Sequence, residues 1–195
     1  KRPVGALVVA SSMSIYGEGL YRTAAGEVVG DARRARAQLE GAAWEPRRDG
    51  EALLPVPTPE TKQPDLASVY ALSKYVQERL CLLIGEAYGI RTVALRFFNT
   101  YGSRQALSNP YTGVLAIFAA RLLNGNRPLV FEDGEQQRDF VHVKDVARAC
   151  RLALESADAA GQAINVGSGR SATVREIAAA LGEAVGRPDL APEIT

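Results

Sequence analysis

The chain has 195 residues, 47% of them hydrophobic and 23% charged, which suits one soluble α/β domain with a real core. A formal net charge of +1 gives no general pull towards nucleic acid or an anionic membrane, so anion recognition must rest on a few placed cations. No apolar run is long enough to span a bilayer, since Val114 to Leu123 contains Arg121, and Lys1-Arg2-Pro3 leads straight into a strand-like segment with no signal peptide, so a cytoplasmic location is expected.

Val4 to Ser11 is a continuous Val-rich run, the pattern of a parallel strand buried on both faces. Gly17 to Lys62 differs in kind. It holds Arg33, Arg34 and Arg36, the turn-like Arg47-Arg48-Asp49-Gly50, and Pro55, Pro57 and Pro59, and it reads as a surface excursion with a short helix near Asp31 to Leu39. From Asp65 the spacing of Leu66, Val69, Leu72, Val76, Leu80, Leu83 and Ile84 predicts a helix that Gly89 ends. Thr92 to Phe98 is a second buried strand, and Thr112 to Leu123 a helix closed by Asn124-Gly125-Asn126. Short strands are expected over Pro128 to Phe131 and Arg138 to Val143, a helix over Asp145 to Leu154, and a strand over Ala163 to Val166. Thr173 and Glu176 form a capping box that opens the last helix. Alternation of strands and helices argues a parallel α/β sheet. Cys81 and Cys150 both lie in apolar helical patterns and read as buried free thiols of a reducing compartment.

Tyr70 and Lys74 stand four apart on one predicted helix, so their side chains share a face. An ammonium beside a phenol favours the phenolate, and such a tyrosine can act as general base towards an alcohol. The alternative is a solvated surface pair. Ser11-Ser12-Met13-Ser14-Ile15-Tyr16-Gly17 follows the first strand, at the carboxyl end where open α/β sheets bind ligands. Here the alternative is a Ser-rich turn that caps the next segment.

Four motifs occur in fixed order: Ser-Ser-x-x-x-Tyr-Gly, Tyr70-x-x-x-Lys74, Leu95-Arg96-Phe97-Phe98-Asn99-Thr100-Tyr101-Gly102, and Arg138-Asp139-Phe140-Val141-His142-Val143. This order resembles the extended short-chain dehydrogenase/reductase family, in particular its NAD-dependent nucleotide-sugar epimerases and dehydratases. The resemblance implies an α/β fold, part of a doubly wound parallel-sheet (Rossmann) NAD-binding domain with part of a smaller substrate-binding domain. Residues 1–102 would be the C-terminal half of the Rossmann domain, with an insertion over about 20–62. Residues 103–195 would mix substrate-binding segments with returning Rossmann elements.

The same resemblance implies a catalytic set of Ser12, Tyr70 and Lys74. Ser12 would hydrogen-bond the reacting sugar hydroxyl, Tyr70 transfer the proton, and Lys74 hold the nicotinamide ribose and tune the tyrosine. Ser11, Phe97 and Phe98 fall on the NAD side. Ser14 and Asn99 fall on the substrate side with Arg138, whose rigid fork suits a diphosphate; its alternative is a surface ion pair with Asp139 or Glu135. Asn124 and Arg104 are further substrate-side candidates. His142, the sole histidine, alternates with Val141 and Val143 and is expected to be structural. The implied substrate is a nucleotide-diphosphate sugar and the implied assembly a homodimer, with no nucleic acid and no membrane partner.

The chain departs from the family pattern in three places. The Gly-x-x-Gly-x-x-Gly turn that opens such proteins is missing, so the first strand matches the family's fifth, and about a hundred upstream residues and a shorter downstream piece are expected elsewhere. The excursion is about twice the usual length. Some members resemble this longer version and carry paired cysteines there; this chain reads Arg22-Thr23-Ala24 and Arg47-Arg48-Asp49, so no metal is expected. Finally, dehydratases and decarboxylating members need a carboxylate just after the catalytic hydroxyl, where this chain has Met13 and Ser14. The expected reaction is therefore C4 epimerisation through a 4-keto intermediate, as in UDP-glucose 4-epimerases. The rivals are a dehydratase or reductase of the same family, and a truncated fragment that only binds.

Overall fold

The structure is a computed structural model that describes residues 3–106 and 113–195. Lys1, Arg2 and Thr112, the expected start of the third helix, lie outside the described residues.

The chain opens with β1 (Ala6–Ser12), which runs into a 3-10 turn at Met13–Tyr16. The excursion holds β2 (Leu20–Arg22), β3 (Val28–Val29), α1 (Arg36–Glu40), β4 (Arg47–Arg48), β5 (Glu51–Ala52) and β6 (Leu54–Val56). The long helix α2 (Val69–Tyr88) and β7 (Arg91–Phe97) follow, then β8 (Asn99–Tyr101), α3 (Val114–Leu123), β9 (Leu129–Val130) and β10 (Gln137–His142). The chain closes with α4 (Val143–Glu155), β11 (Ala163–Val166), β12 (Ser171–Thr173), α5 (Val174–Ala184) and β13 (Glu193–Ile194). Two compact units result. The first comprises residues 1–34, 45–98 and 144–167, the second residues 35–44, 99–143 and 168–195.

The first unit is built on a parallel sheet in the order β1-β7-β11. β7 is central, and Thr92 to Arg96 are all buried, as a strand covered on both faces must be. The registers Ser12↔Phe97 and Val166↔Phe97 bring the carboxyl ends of all three strands level. α2 starts at Ser68, whose side chain accepts from Ala71 N at 3.1 Å, and stops at Gly89 in the left-handed region at φ 65°. Its last turn closes as a Schellman motif, with Ile90 N donating to Gly85 O at 2.9 Å. Gly85 also lets the helix approach β7 closely, since a Cβ there would stand 2.2 Å from Thr92 Oγ1.

The excursion is more than the surface loop that its composition suggests. β2 pairs antiparallel with β3 and with β6, β4 pairs with β5, and Val29, Ala32 and Leu53 bury a small core against Tyr21. Strands of two or three residues carry too few alternations to show as a period, and their partners lie far apart in sequence. The helix expected near Asp31 to Leu39 is a single turn at Arg36–Glu40. Cys81 and Cys150 are free but only partly buried, against the expectation of buried thiols.

In the second unit, β10 pairs parallel with β8 and antiparallel with β12, and β9 pairs parallel with β13. Phe118, Val130 and Ala178 form its core, with Val114, Val174 and Leu181 packed against them. The Thr173/Glu176 capping box is formed in both directions. No described helix is long and apolar enough to cross a membrane.

Candidate active site

Ser12 ends β1 in extended conformation and caps the 3-10 turn. Its Oγ accepts from Ser14 N at 3.2 Å and from Ser14 Oγ at 2.9 Å. A hydroxyl has two acceptor sites and one proton, so with both acceptor sites filled Ser12 meets a ligand as a donor. Ser14, expected on the substrate side, spends its hydroxyl on Ser12.

Tyr70 and Lys74 lie on the first turns of α2, and the helix places them on one face as their spacing requires. Lys74 Nζ donates to Ala10 O at 3.0 Å and to Gln77 Oε1 at 3.4 Å. It stands 5.9 Å over the centroid of the Tyr70 ring, near the outer limit of a cation–π contact. Tyr70 is 52% exposed, and no described residue hydrogen-bonds its hydroxyl. The Tyr/Lys face is thereby tied to β1 two residues before Ser12. Phe97 ends β7 level with Ser12, and Phe98 N donates to Val166 O at 3.0 Å; both rings are partly exposed at the strand ends.

Ser11 turns the other way. Its hydroxyl is buried and donates to Glu78 Oε2 at 2.6 Å, so only its backbone remains available to a ligand. Glu78, one turn beyond Lys74, is 1% exposed and pairs with Arg96. The guanidinium donates from Nε and NH2 to the two carboxylate oxygens at 3.1 and 2.6 Å, and from NH1 to Tyr16 Oη at 2.7 Å and Glu60 O at 3.2 Å. Tyr16 Oη donates in turn to Asn165 Oδ1 at 2.9 Å, and Asn165 binds Thr58 O and Glu60 Oε1. Burial pushes the Tyr16 phenol above its ordinary range, against the pull of Arg96. Beneath the turn, Lys62 Nζ donates to Tyr16 O at 2.8 Å and Asp65 N to Ile15 O at 2.8 Å. Burial lowers the Lys62 pKa from its usual range, with Asp65 and Asp31 opposing. Gly17 closes the turn at φ 65°, where a Cβ would meet Asp65 at 3.0 Å. Tyr16 and Arg96 stand within the sequence motifs with no role assigned to them there, and Glu78, Lys62 and Asn165 belong to none of the motifs. The one available signal is a charged residue, Arg96, within the otherwise apolar strand Thr92 to Phe98.

In the second unit, Asn99 Nδ2 donates to Asp139 O at 2.9 Å. Arg138 is exposed and donates from NH1 to Gln137 O at 2.9 Å. Both carboxylates named as its alternative partners are engaged elsewhere. Asp139 accepts from Ser168 N, Ser168 Oγ and Gly169 N at 2.7 to 2.9 Å, and Glu135 pairs with Arg175 at 3.2 Å. His142 packs edge-on against Tyr101 with ring centroids 5.3 Å apart. Asn124 Nδ2 donates to Ala120 O at 2.7 Å, capping α3, and Arg104 is exposed in the left-handed region at φ 71°. Among the described residues, no group of three or more His, Cys, Asp or Glu is placed to hold a metal ion.

A family model described as the NAD dependent epimerase/dehydratase family matches residues 49–167. A dTDP-L-rhamnose 4-epimerase of Burkholderia thailandensis is 34% identical over 94% of this chain and 50% of its own length. The crystal structure of UDP-glucose 4-epimerase with UDP-glucose from Thermotoga maritima superposes with a TM-score of 0.74 at 30% identity, over 98% of this chain and 50% of that one. A Thermus thermophilus UDP-glucose 4-epimerase in complex with NAD gives a TM-score of 0.66 at 31% identity, over 97% of this chain and 50% of that one. The chain thus spans about half the length of the relatives it matches.

Proposed function

The chain belongs to the NAD dependent epimerase/dehydratase family, and on that premise we propose that it carries the catalytic residues of an NAD-dependent enzyme that inverts C4 of a nucleotide-diphosphate sugar through a 4-keto intermediate. One observation carries the reading: Lys74 Nζ is bound to Ala10 O, which ties the Tyr70/Lys74 face of α2 to the strand that ends in Ser12. In this reading the Ser12 proton is donated to the oxygen of the sugar 4-hydroxyl, because its acceptor sites are filled by Ser14. Tyr70, with a free hydroxyl, removes the 4-hydroxyl proton as general base, and Lys74 supplies a nearby positive charge.

The residues present fit the nicotinamide riboside part of NAD: an ammonium and hydroxyls for a ribose, and the partly exposed rings of Phe97 and Phe98 for a flat heterocycle. Lys74, Phe97 and Phe98 would hold it, with the backbone at Ser11. When bound, NAD supplies the hydride acceptor and donor for the sugar carbon. Asn99 and Arg138 are proposed to hold the substrate diphosphate, and the exposed guanidinium of Arg138, of which NH1 donates to Gln137 O, supports this. We also take the enzyme to be a cytoplasmic homodimer. Val69, Leu72, Val76, Leu80 and Leu83 make one stripe along α2 and are 48% to 85% exposed, which supports self-association there.

Epimerisation is favoured over dehydration because Met13 is not titratable and the Ser14 hydroxyl is occupied by Ser12. Neither offers the acid or base that elimination of water needs. The test is to incubate the full-length protein with UDP-glucose, UDP-galactose or dTDP-L-rhamnose and resolve the products by NMR. Interconversion of C4 epimers with no net consumption of NAD is expected. Accumulation of a 4-keto-6-deoxy sugar, or stoichiometric NADH release, would overturn the epimerase reading in favour of the dehydratase or reductase. Absence of any turnover would overturn the enzymatic reading in favour of a protein that only binds.

A further inference from the structure

We infer that Arg96, Glu78, Ser11 and Tyr16 form a positioning unit that fixes the Ser12 turn and the Tyr70/Lys74 helix from one buried cation, an inference that rests on the reaction proposed above. Arg96 projects from the carboxyl end of the central strand β7 with its side chain 9% exposed. Its planar fork directs one edge to Glu78 on α2 and the remaining NH1 to Tyr16, the last residue of the turn that Ser12 caps. The Arg96 guanidinium also lies 5.2 Å over the Tyr16 ring. Ser11 Oγ closes the circuit from β1 to the same carboxylate, and Tyr16 extends it to Asn165 on β11. Three strands, the catalytic turn and the catalytic helix are therefore joined through side chains whose bonds are all satisfied.

Stability alone does not call for this arrangement. A buried ion pair gains little over apolar packing of the same volume, because two charges must be stripped of water. What it provides is direction, since a guanidinium binds in its own plane and a lysine in the same place could not reach both partners. Such direction matters where proton transfer depends on atoms held within a few tenths of an ångström. Tyr16 is a positioning residue and not a catalytic one, since it is 2% exposed and its hydroxyl is occupied on both sides.

Tyr16→Phe in the full-length protein tests this, because it keeps the ring and removes only the hydroxyl. Tyr88→Phe, on an exposed tyrosine at the end of α2, is the control. We expect Tyr16→Phe to lower kcat by about 10- to 100-fold, the scale of a misplaced catalytic group. KM should stay within about twofold while amide exchange over residues 13–17 accelerates relative to the control. Wild-type kcat with unchanged exchange would refute the inference. So would equal losses in kcat and in the exchange protection of every element, which would mean general destabilisation. If the wild-type protein turns over no nucleotide sugar, the epimerase reading fails separately. The exchange then decides alone: acceleration confined to residues 13–17 supports the positioning unit, and no change overturns it.

Discussion

Glu78→Gln exchanges one carboxylate oxygen for an amide nitrogen and should destabilise the folded protein by about 3–5 kcal/mol, the range for breaking one half of a buried pair. The side chain is 1% exposed, so water cannot take the place of the lost acceptor. Oε1 holds one Arg96 nitrogen, while Oε2 accepts from both Arg96 Nε and Ser11 Oγ. In glutamine the oxygen can keep the Arg96 NH2 bond, but the amide nitrogen then faces the Nε donor. Ser11 can reverse and accept, so one charge-assisted bond of about 1.5–3 kcal/mol is lost outright. The rest of the cost is a guanidinium left buried without its counter-charge. Against a total stability of about 5–15 kcal/mol this is a large fraction. Urea unfolding of the full-length protein followed by circular dichroism measures it as a lower midpoint at constant slope. A loss below about 1 kcal/mol would show that the pair is not buried as described. Replacing both partners, Glu78→Leu with Arg96→Met, should recover only part of the stability: no charge is stranded, but the buried Ser11 hydroxyl loses its acceptor.

Tyr70→Phe should abolish most turnover and leave the melting temperature unchanged, since its hydroxyl has no hydrogen-bond partner among the described residues; near wild-type kcat would sink the general-base role. Arg138→Ala should weaken binding of a nucleoside diphosphate by about 1.5–3 kcal/mol, as for loss of a charge-assisted hydrogen bond, with little effect on kcat. Isothermal titration calorimetry with UDP checks this, and an unchanged Kd contradicts the diphosphate role. Leu80→Glu places a charge in the exposed stripe of α2 and should shift the protein to monomer in sedimentation; an unchanged assembly means that other surfaces hold it together.

What the sequence made legible was local. Val4 to Ser11 announced itself as a continuous Val-rich run and Thr92 to Phe98 as an apolar run broken only by Arg96, and both are strands of the parallel sheet. Gly89 and the Thr173/Glu176 box marked helix ends by chemistry that acts over a few residues. The Tyr70/Lys74 spacing gave a shared face because a helix repeats every 3.6 residues. The Arg96 network was not legible, since Ser11, Tyr16, Glu78, Arg96 and Asn165 have no common spacing and meet only once three strands are in register. The excursion hid its strands for a related reason. Leu20 pairs with Val56, and nothing in either neighbourhood names the other. Ser11 and Ser12, adjacent in sequence, went to opposite sides of the strand, as alternation requires, and only Ser12 faces outward with a free proton.

That pairing of Leu20 with Val56 has a bearing on how this protein can change. Leu20 N also donates to Thr58 Oγ1 at 3.1 Å, so the excursion is cinched at its stem before its distal strands begin. Thr58 and Glu60, just past the stem, are the residues that grip Asn165, and Lys62 grips the turn that Ser12 caps. The β4–β5 hairpin, closed where Leu53 N donates to Pro46 O, is then a graft site: segments of different length or composition can be exchanged there at a closure cost that grows only with the logarithm of their length. Evolution or an engineer can add a new module at that point without moving the turn that Ser12 caps.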